Sequence, residues 1–160
     1  MAIEAHLSRY KKQNFLIIMV ILLGAVIIFG YDGYLSKYEW SMRHSFYEKH
    51  VINNGGIPDG DMQFNRKSPP VFFIVAVAWA VYFFAVSAKK KIIADESKVN
   101  LNGIEVPYDS IEKINKTHFD KKGFFTITYT ENGQEKELTL KDRTYDNLPA
   151  VLDHIVSKIS

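Results

Sequence analysis

Two long apolar runs stand out from an otherwise mixed pattern of hydrophobic and polar positions. Residues 15–31, FLIIMVILLGAVIIFGY, carry no charged side chain, and neither do residues 71–88, VFFIVAVAWAVYFFAVSA. Eighteen helical residues rising about 1.5 Å each cover about 27 Å, close to the roughly 30 Å hydrocarbon core of a bilayer. Both runs are therefore predicted to be transmembrane helices. A cleaved secretory signal competes for the first, but the run is longer than a signal core. It also continues into Gly30-Tyr31-Asp32-Gly33 with no A-x-A site, which favours a retained span.

Residues 32–70 form the connecting loop. Tyr34, Tyr38, Met42 and Phe46 recur every four residues with Leu35 beside them, which predicts an amphipathic helix over 32–50. Asn53-Asn54-Gly55-Gly56 breaks that pattern, Ile57-Pro58-Asp59-Gly60-Asp61 is turn chemistry, and Ser68-Pro69-Pro70 is expected to stop the chain just before the second span. So long a connection between two spans points to a functional or partner-held segment.

Beyond residue 88 the period changes to two. Six short strands are predicted, at 92–94, 98–101, 104–106, 111–119, 124–130 and 135–140, with Asn102-Gly103 as a tight hairpin turn. Leu148, Val151, Leu152, Ile155, Val156 and Ile159 then mark one face of a helix, with Asp146 as the expected N-cap and Pro149 tolerated in the first turn. The fold class is thus α+β: two transmembrane helices joined by a long outer loop, then a small antiparallel β domain closed by a C-terminal helix.

Charge orients this plan. Residues 1–91 hold 11 Lys+Arg against 6 Asp+Glu, and residues 92–160 hold 9 against 12, so a net +5 faces a net −3. Arg9, Lys11 and Lys12 lie just before the first span and Lys89, Lys90 and Lys91 just after the second. Basic residues collect on the side that is not translocated, so residues 1–14 and 89–160 are both expected in the cytoplasm. The acidic balance of 92–160 makes it a poor nucleic-acid binder. With no cysteine in the chain, disulfides, thiolate nucleophiles and iron–sulfur ligation are excluded. The mean hydropathy of −0.11 averages two very different halves.

The stretch IIADESKVNLNGIEVPYDSIEKI, with Val106-Pro107-Tyr108 followed by Ser110, Ile111 and Ile114, resembles the bacterial pleckstrin-homology-like (PH-like) domain of small membrane proteins. The resemblance covers residues 92–160 and, weakly, the two spans. It implies a partly open barrel, a bacterial inner-membrane setting and structural rather than catalytic motifs. The family fold has seven strands, so a first strand is expected to be short or absent here. The same resemblance invites a lipid-headgroup role for Lys116, Lys121 and Lys122 around the turn at 120–123, against which the net −3 and Asp120 weigh.

Little else carries chemistry. His44 and Glu48 share a helical face but His50 points elsewhere, short of the three or four convergent ligands a zinc site needs. Ser110, His118, Asp120 and Asp142 are scattered without the spacing of a nucleophile, base and orienting group. His118 and His154 read as ordinary surface residues. The spans hold no ionisable group at depth, which disfavours ion or proton conduction. Instead Gly24, Ala76 and Ala80 offer small surfaces beside Trp79 and Phe83, suited to close helix packing, either of the two spans on each other or on a partner. The expected function is a non-catalytic accessory or scaffolding subunit that packs on integral membrane subunits and touches membrane lipid, with no cofactor, metal, nucleic acid or small-molecule substrate. The alternative is a free-standing anchored adaptor that binds a cytoplasmic protein or peptide, by strand addition for example.

Overall fold

The structure, a computed structural model, describes residues 2–159 and divides into two compact units. One is Phe15–Phe83; the other is built from the chain on both sides of it, within Met1–Asn14 and Phe84–Ser160. The class is α+β, with two long apolar helices and two antiparallel sheets that do not close into a barrel.

The first unit follows from the apolar runs. Helix α1 (Arg9–Gly30) continues through a π-helical turn, Tyr31–Leu35. The short α2 (His44–His50) follows, and α3 (Gly60–Tyr82) continues through a second π-helical turn, Phe83–Ser87. Arg9–Leu35 and Gly60–Ser87, 27 and 28 residues, are long and apolar enough to cross a membrane. Aromatic rings join the two: Phe29 meets Phe64 edge-on and stacks with Phe72, at 5.3 and 5.6 Å, and Phe15 stacks on Phe83 at 3.9 Å.

The connection departs from the sequence pattern in two places. No helix spans 32–50; only His44–His50 is α-helical, and Met42, in the expected apolar stripe, is 90% exposed. Polar bonds hold this segment instead. The Asp32 carboxylate accepts Nε and Nη2 of Arg43 at 2.9 and 3.0 Å, and Ser36 Oγ donates to the Asp32 carbonyl.

Nor do the prolines stop the chain, because α3 has already begun at Gly60, where Asp59 Oδ1 accepts the Met62 amide at 3.0 Å. Pro69 and Pro70 lie inside the helix and cannot bond the carbonyls four residues back, those of Asn65 and Arg66. The Arg66 carbonyl accepts the Tyr34 hydroxyl at 2.6 Å in place of the missing amide. Arg66 Nε donates to the Gly33 carbonyl at 3.1 Å, and Gly33 lies so close that a Cβ there would sit 2.4 Å from the Asn65 oxygen. The two prolines open a notch, and the end of the first long helix fills it.

The second unit contains a strand not expected from the sequence. Residues 1–14 read as a tail, yet β1 (Ile3–His6) pairs antiparallel with β2 (Lys91–Ala94), Ile3 opposite Ala94 and His6 opposite Lys91. With β3 (Lys98–Leu101) and β4 (Ile104–Pro107) they form a sheet in the order β1-β2-β3-β4. β5 (Ile111–Asn115), β6 (Phe124–Glu131) and β7 (Gln134–Lys141) form the other, and α5 (Leu148–Ile159) follows. The strand expected over 111–119 ends at Asn115, and the helical turn α4 (Phe119–Lys122) occupies the connection to β6.

Local turn chemistry holds where it was strongest. Asn102-Gly103 and Asn132-Gly133 have φ of 54° and 96°, 55° and 74°, the left-handed pair that a two-residue hairpin turn requires. The core gathers Ala5, Ile92, Phe125 and Leu140 from the sheets with Leu148, Val151 and Ile155 from α5, all fully buried. β1 also reaches the chain ahead of α5: Leu7 bridges Tyr145, and the Ser8 amide donates to the Thr144 carbonyl at 2.9 Å. Asp146, expected to cap α5, instead accepts the Arg9 amide with both carboxylate oxygens at the start of α1.

Candidate functional site

The spans carry the surface singled out for packing. Ala76 is buried, Phe83 is stacked on Phe15, and Ala80 and Trp79 are half-buried. Gly24 is different: a Cβ built there meets nothing within 4 Å, so its small surface is not used inside this chain. Only 6% of the most apolar window of either helix is buried. Ser68 Oγ and Trp79 Nε1 are buried without a hydrogen-bond partner among the described residues.

At the C-terminal end of α1 the Asp32–Arg43 pair borders a concavity of about 380 Å³ walled by Ile27, Ile28, Tyr31 and Met42. Hydrogen bonding to Asp32, and then its charge, holds the Arg43 guanidinium above its ordinary pKa. The pair fixes the segment after the helix rather than offering a free charge.

His44, Glu48 and His50 do not come together. His44 Nε2 lies 3.9 Å from Glu48, and its Nδ1 lies 3.1 Å from the Ser36 carbonyl. His50 turns to Asp59 at 2.7 Å and lies 3.7 Å from Asp61. His50, Asp59 and Asp61 are a group with metal-capable atoms within 4.8 Å of one another. Two of these residues form a strap: Asp59 caps α3 with one oxygen and accepts His50 Nδ1 with the other, tying the end of α2 to the start of α3. The Asp59 carboxyl is held below its ordinary pKa, first by the Met62 amide and then by His50.

In the sheet unit Ser110, His118 and Asp142 each have a local partner. Ser110 Oγ donates to the Pro107 carbonyl at 2.7 Å, the His118 ring lies against Phe124 at 5.3 Å, and the Asp142 amide donates to the Gly123 carbonyl at 2.8 Å. Lys121 and Lys122 lie on α4, with Lys116 between β5 and that turn. His154 is not an ordinary surface residue: its Nε2 lies 2.8 Å from the Asp95 carbonyl, which also accepts the Tyr108 hydroxyl at 2.9 Å. Burial pushes the Tyr108 hydroxyl up to about 12.

Sequence spacing did not reveal the Arg9–Asp146, Asp32–Arg43, Gly33–Asn65 and His50–Asp59 contacts. Asp59 ahead of Met62 in a Pro-Asp-Gly-Asp turn was the one local signal available, as an N-cap. Compared with family models, curated proteins and solved structures, the chain matches none.

Proposed function

We propose that the chain is a two-pass protein of a bacterial inner membrane with both termini in the cytoplasm, acting as a non-catalytic accessory subunit of a larger membrane assembly. Its long helices pack on a core subunit, and its sheet unit, a PH-like domain, lies against that subunit's cytoplasmic face. The observation that carries this reading is the unused apolar surface of the helices, with Gly24 open and so little of either window buried. Apolar faces of that extent need lipid or another protein to cover them. Seven strands in two antiparallel sheets followed by one helix support the PH-like reading. The pairing of β1 with β2 supports a shared compartment for the two ends, because strands on opposite sides of a bilayer cannot bond.

The test is purification of the full chain at native expression in mild detergent, beside Gly24→Leu. A stoichiometric membrane polypeptide that accompanies the wild type and is lost from the variant is expected, since the added side chain meets nothing in its own chain. A wild type recovered alone contradicts the proposal. An adaptor role gains support from a concavity of about 650 Å³ between β1 and α5, lined by Ile3, Glu4, Ala150 and His154 among others. A soluble partner captured by the full chain, and lost when Ala150→Arg blocks that groove, is the outcome for that reading.

A further inference from the structure

Ion pairing in the sheet unit is uneven. Lys98, Lys136 and Lys158 each have a carboxylate partner, in Glu105, Glu131 and Glu96. Lys89, Lys90 and Lys91 have none within 4.0 Å among the described residues. These three line a cavity of about 490 Å³ whose other walls include Ala85, Val86 and Asn102. Asn102 is fixed there: its side-chain oxygen accepts the Lys91 amide at 3.0 Å, and its Nδ2 donates to the Tyr145 hydroxyl at 3.0 Å. The cavity thus combines three cationic side chains with the apolar Ala85 and Val86, and Asn100 and Gly103 complete its lining just ahead of and beside β2.

The carboxylate bonded to a lining residue is that of Glu105, which accepts Asn100 Nδ2 at 3.3 Å and is itself paired with Lys98. Glu96 and Glu131 are likewise paired, with Lys158 and Lys136. Clustered ammonium groups repel one another and are relieved by an anion, and a molecule joining a phosphodiester to acyl chains matches both kinds of lining side chain.

We propose that this cavity binds the phosphodiester headgroup of an anionic phospholipid, a role distinct from contact with a protein subunit. The inference rests on the membrane reading above. It is tested on the full chain in neutral detergent by native mass spectrometry, titrating short-chain phosphatidylglycerol, phosphatidylcholine of equal chain length, and inorganic phosphate. One phosphatidylglycerol is expected to be retained in preference to phosphatidylcholine. Its affinity falls about tenfold or more in the Lys89→Gln, Lys90→Gln, Lys91→Gln variant and stays unchanged in Lys113→Gln. Equal retention of the two lipids, or equal binding by the triple variant, overturns the proposal. Displacement by inorganic phosphate at matched concentration assigns the site to a free anion and overturns it as well. Alkaline carbonate extraction separates the two readings: a chain that stays in membranes yet shows no lipid preference refutes this inference alone, whereas a chain washed off refutes the membrane reading.

Discussion

Asp146 accepts the backbone amide of Arg9 with both carboxylate oxygens, at 3.2 and 3.1 Å. Asp146, two residues ahead of α5, thereby satisfies the first amide of α1 beside Ser8, whose Oγ accepts the Lys11 amide at 3.2 Å, and the carboxylate lies at the positive end of the α1 dipole. This bond belongs to the same body as the β1–β2 pairing, so the start of the first long helix is set by the sheet unit.

Removing that bond has a measurable cost. Asp146→Ala is expected to destabilise the sheet unit by about 1 kcal/mol, lowering its melting temperature by roughly 4–8 °C when followed by far-UV circular dichroism of the full chain. Asp146→Asn, which keeps an acceptor oxygen, should lose much less. Equal melting of Ala and wild type shows the bond to be idle.

β1 is expected to be indispensable to its unit. Ala5 and Leu7 are buried at 0% and 3% exposure, and without them β2 becomes an open edge over a core missing one wall. Residues 89–160 alone should therefore lack dispersed amide NMR signals. A chain joining residues 2–8 to 89–160 through a short Gly/Ser loop should show them, because His6 and Lys91 already stand opposite each other. Folding of residues 89–160 alone removes the need for the strand.

Gly33 tests the proline notch. A Cβ there would lie 2.4, 2.7 and 2.9 Å from backbone atoms of Asn65 and Arg66, which have no side-chain freedom with which to yield. Gly33→Ala should destabilise the helical unit by about 1–3 kcal/mol. Gly24→Ala, with open space around it, should stay within about 0.5 kcal/mol of wild type. Unfolding in mixed detergent followed by tryptophan fluorescence compares the two, and equal effects contradict the notch.

Acid acts on the strap between α2 and α3. Since its neighbours favour the Asp59 anion, its stabilisation is present above the ordinary carboxyl value of 3.8 and is lost as pH falls through the lower folded value. The Met62 amide shift in an NMR titration should have its midpoint below 3.8. Asp59→Asn should abolish that step, and a wild-type midpoint at or above the ordinary value contradicts the assigned bonds.

What was legible in the sequence was local. Uninterrupted apolar length marked the two long helices, Asn102-Gly103 with its left-handed backbone marked a hairpin, and the spacing from Leu148 to Ile155 marked the buried face of α5. What was hidden depends on distant partners. Ile3, Ala5 and Leu7 alternate, but four residues carry a weak period, and their partner strand is separated from them by both long helices. Pro69-Pro70 read as a stop because a proline's lost bond is a local fact, while its replacement, Tyr34 on the Arg66 carbonyl, is not. The Tyr34-Tyr38-Met42 spacing suggested a buried face where the Asp32–Arg43 bonds set a different course. At the packing surface, Gly24 was identifiable by its size alone, whereas the Asn102 bonds that shape the lysine cavity were not.

The central claim, that the chain on both sides of the helical hairpin closes into one folded body, is tested by a cross-link. The chain has no cysteine, so Glu4→Cys with Ile93→Cys, opposite each other in the β1–β2 register, can be oxidised in isolated membranes beside a control pair, Thr126→Cys with Thr139→Cys. An intramolecular disulfide in both pairs is the predicted result. A control pair that links while Glu4→Cys and Ile93→Cys stay reduced contradicts the account.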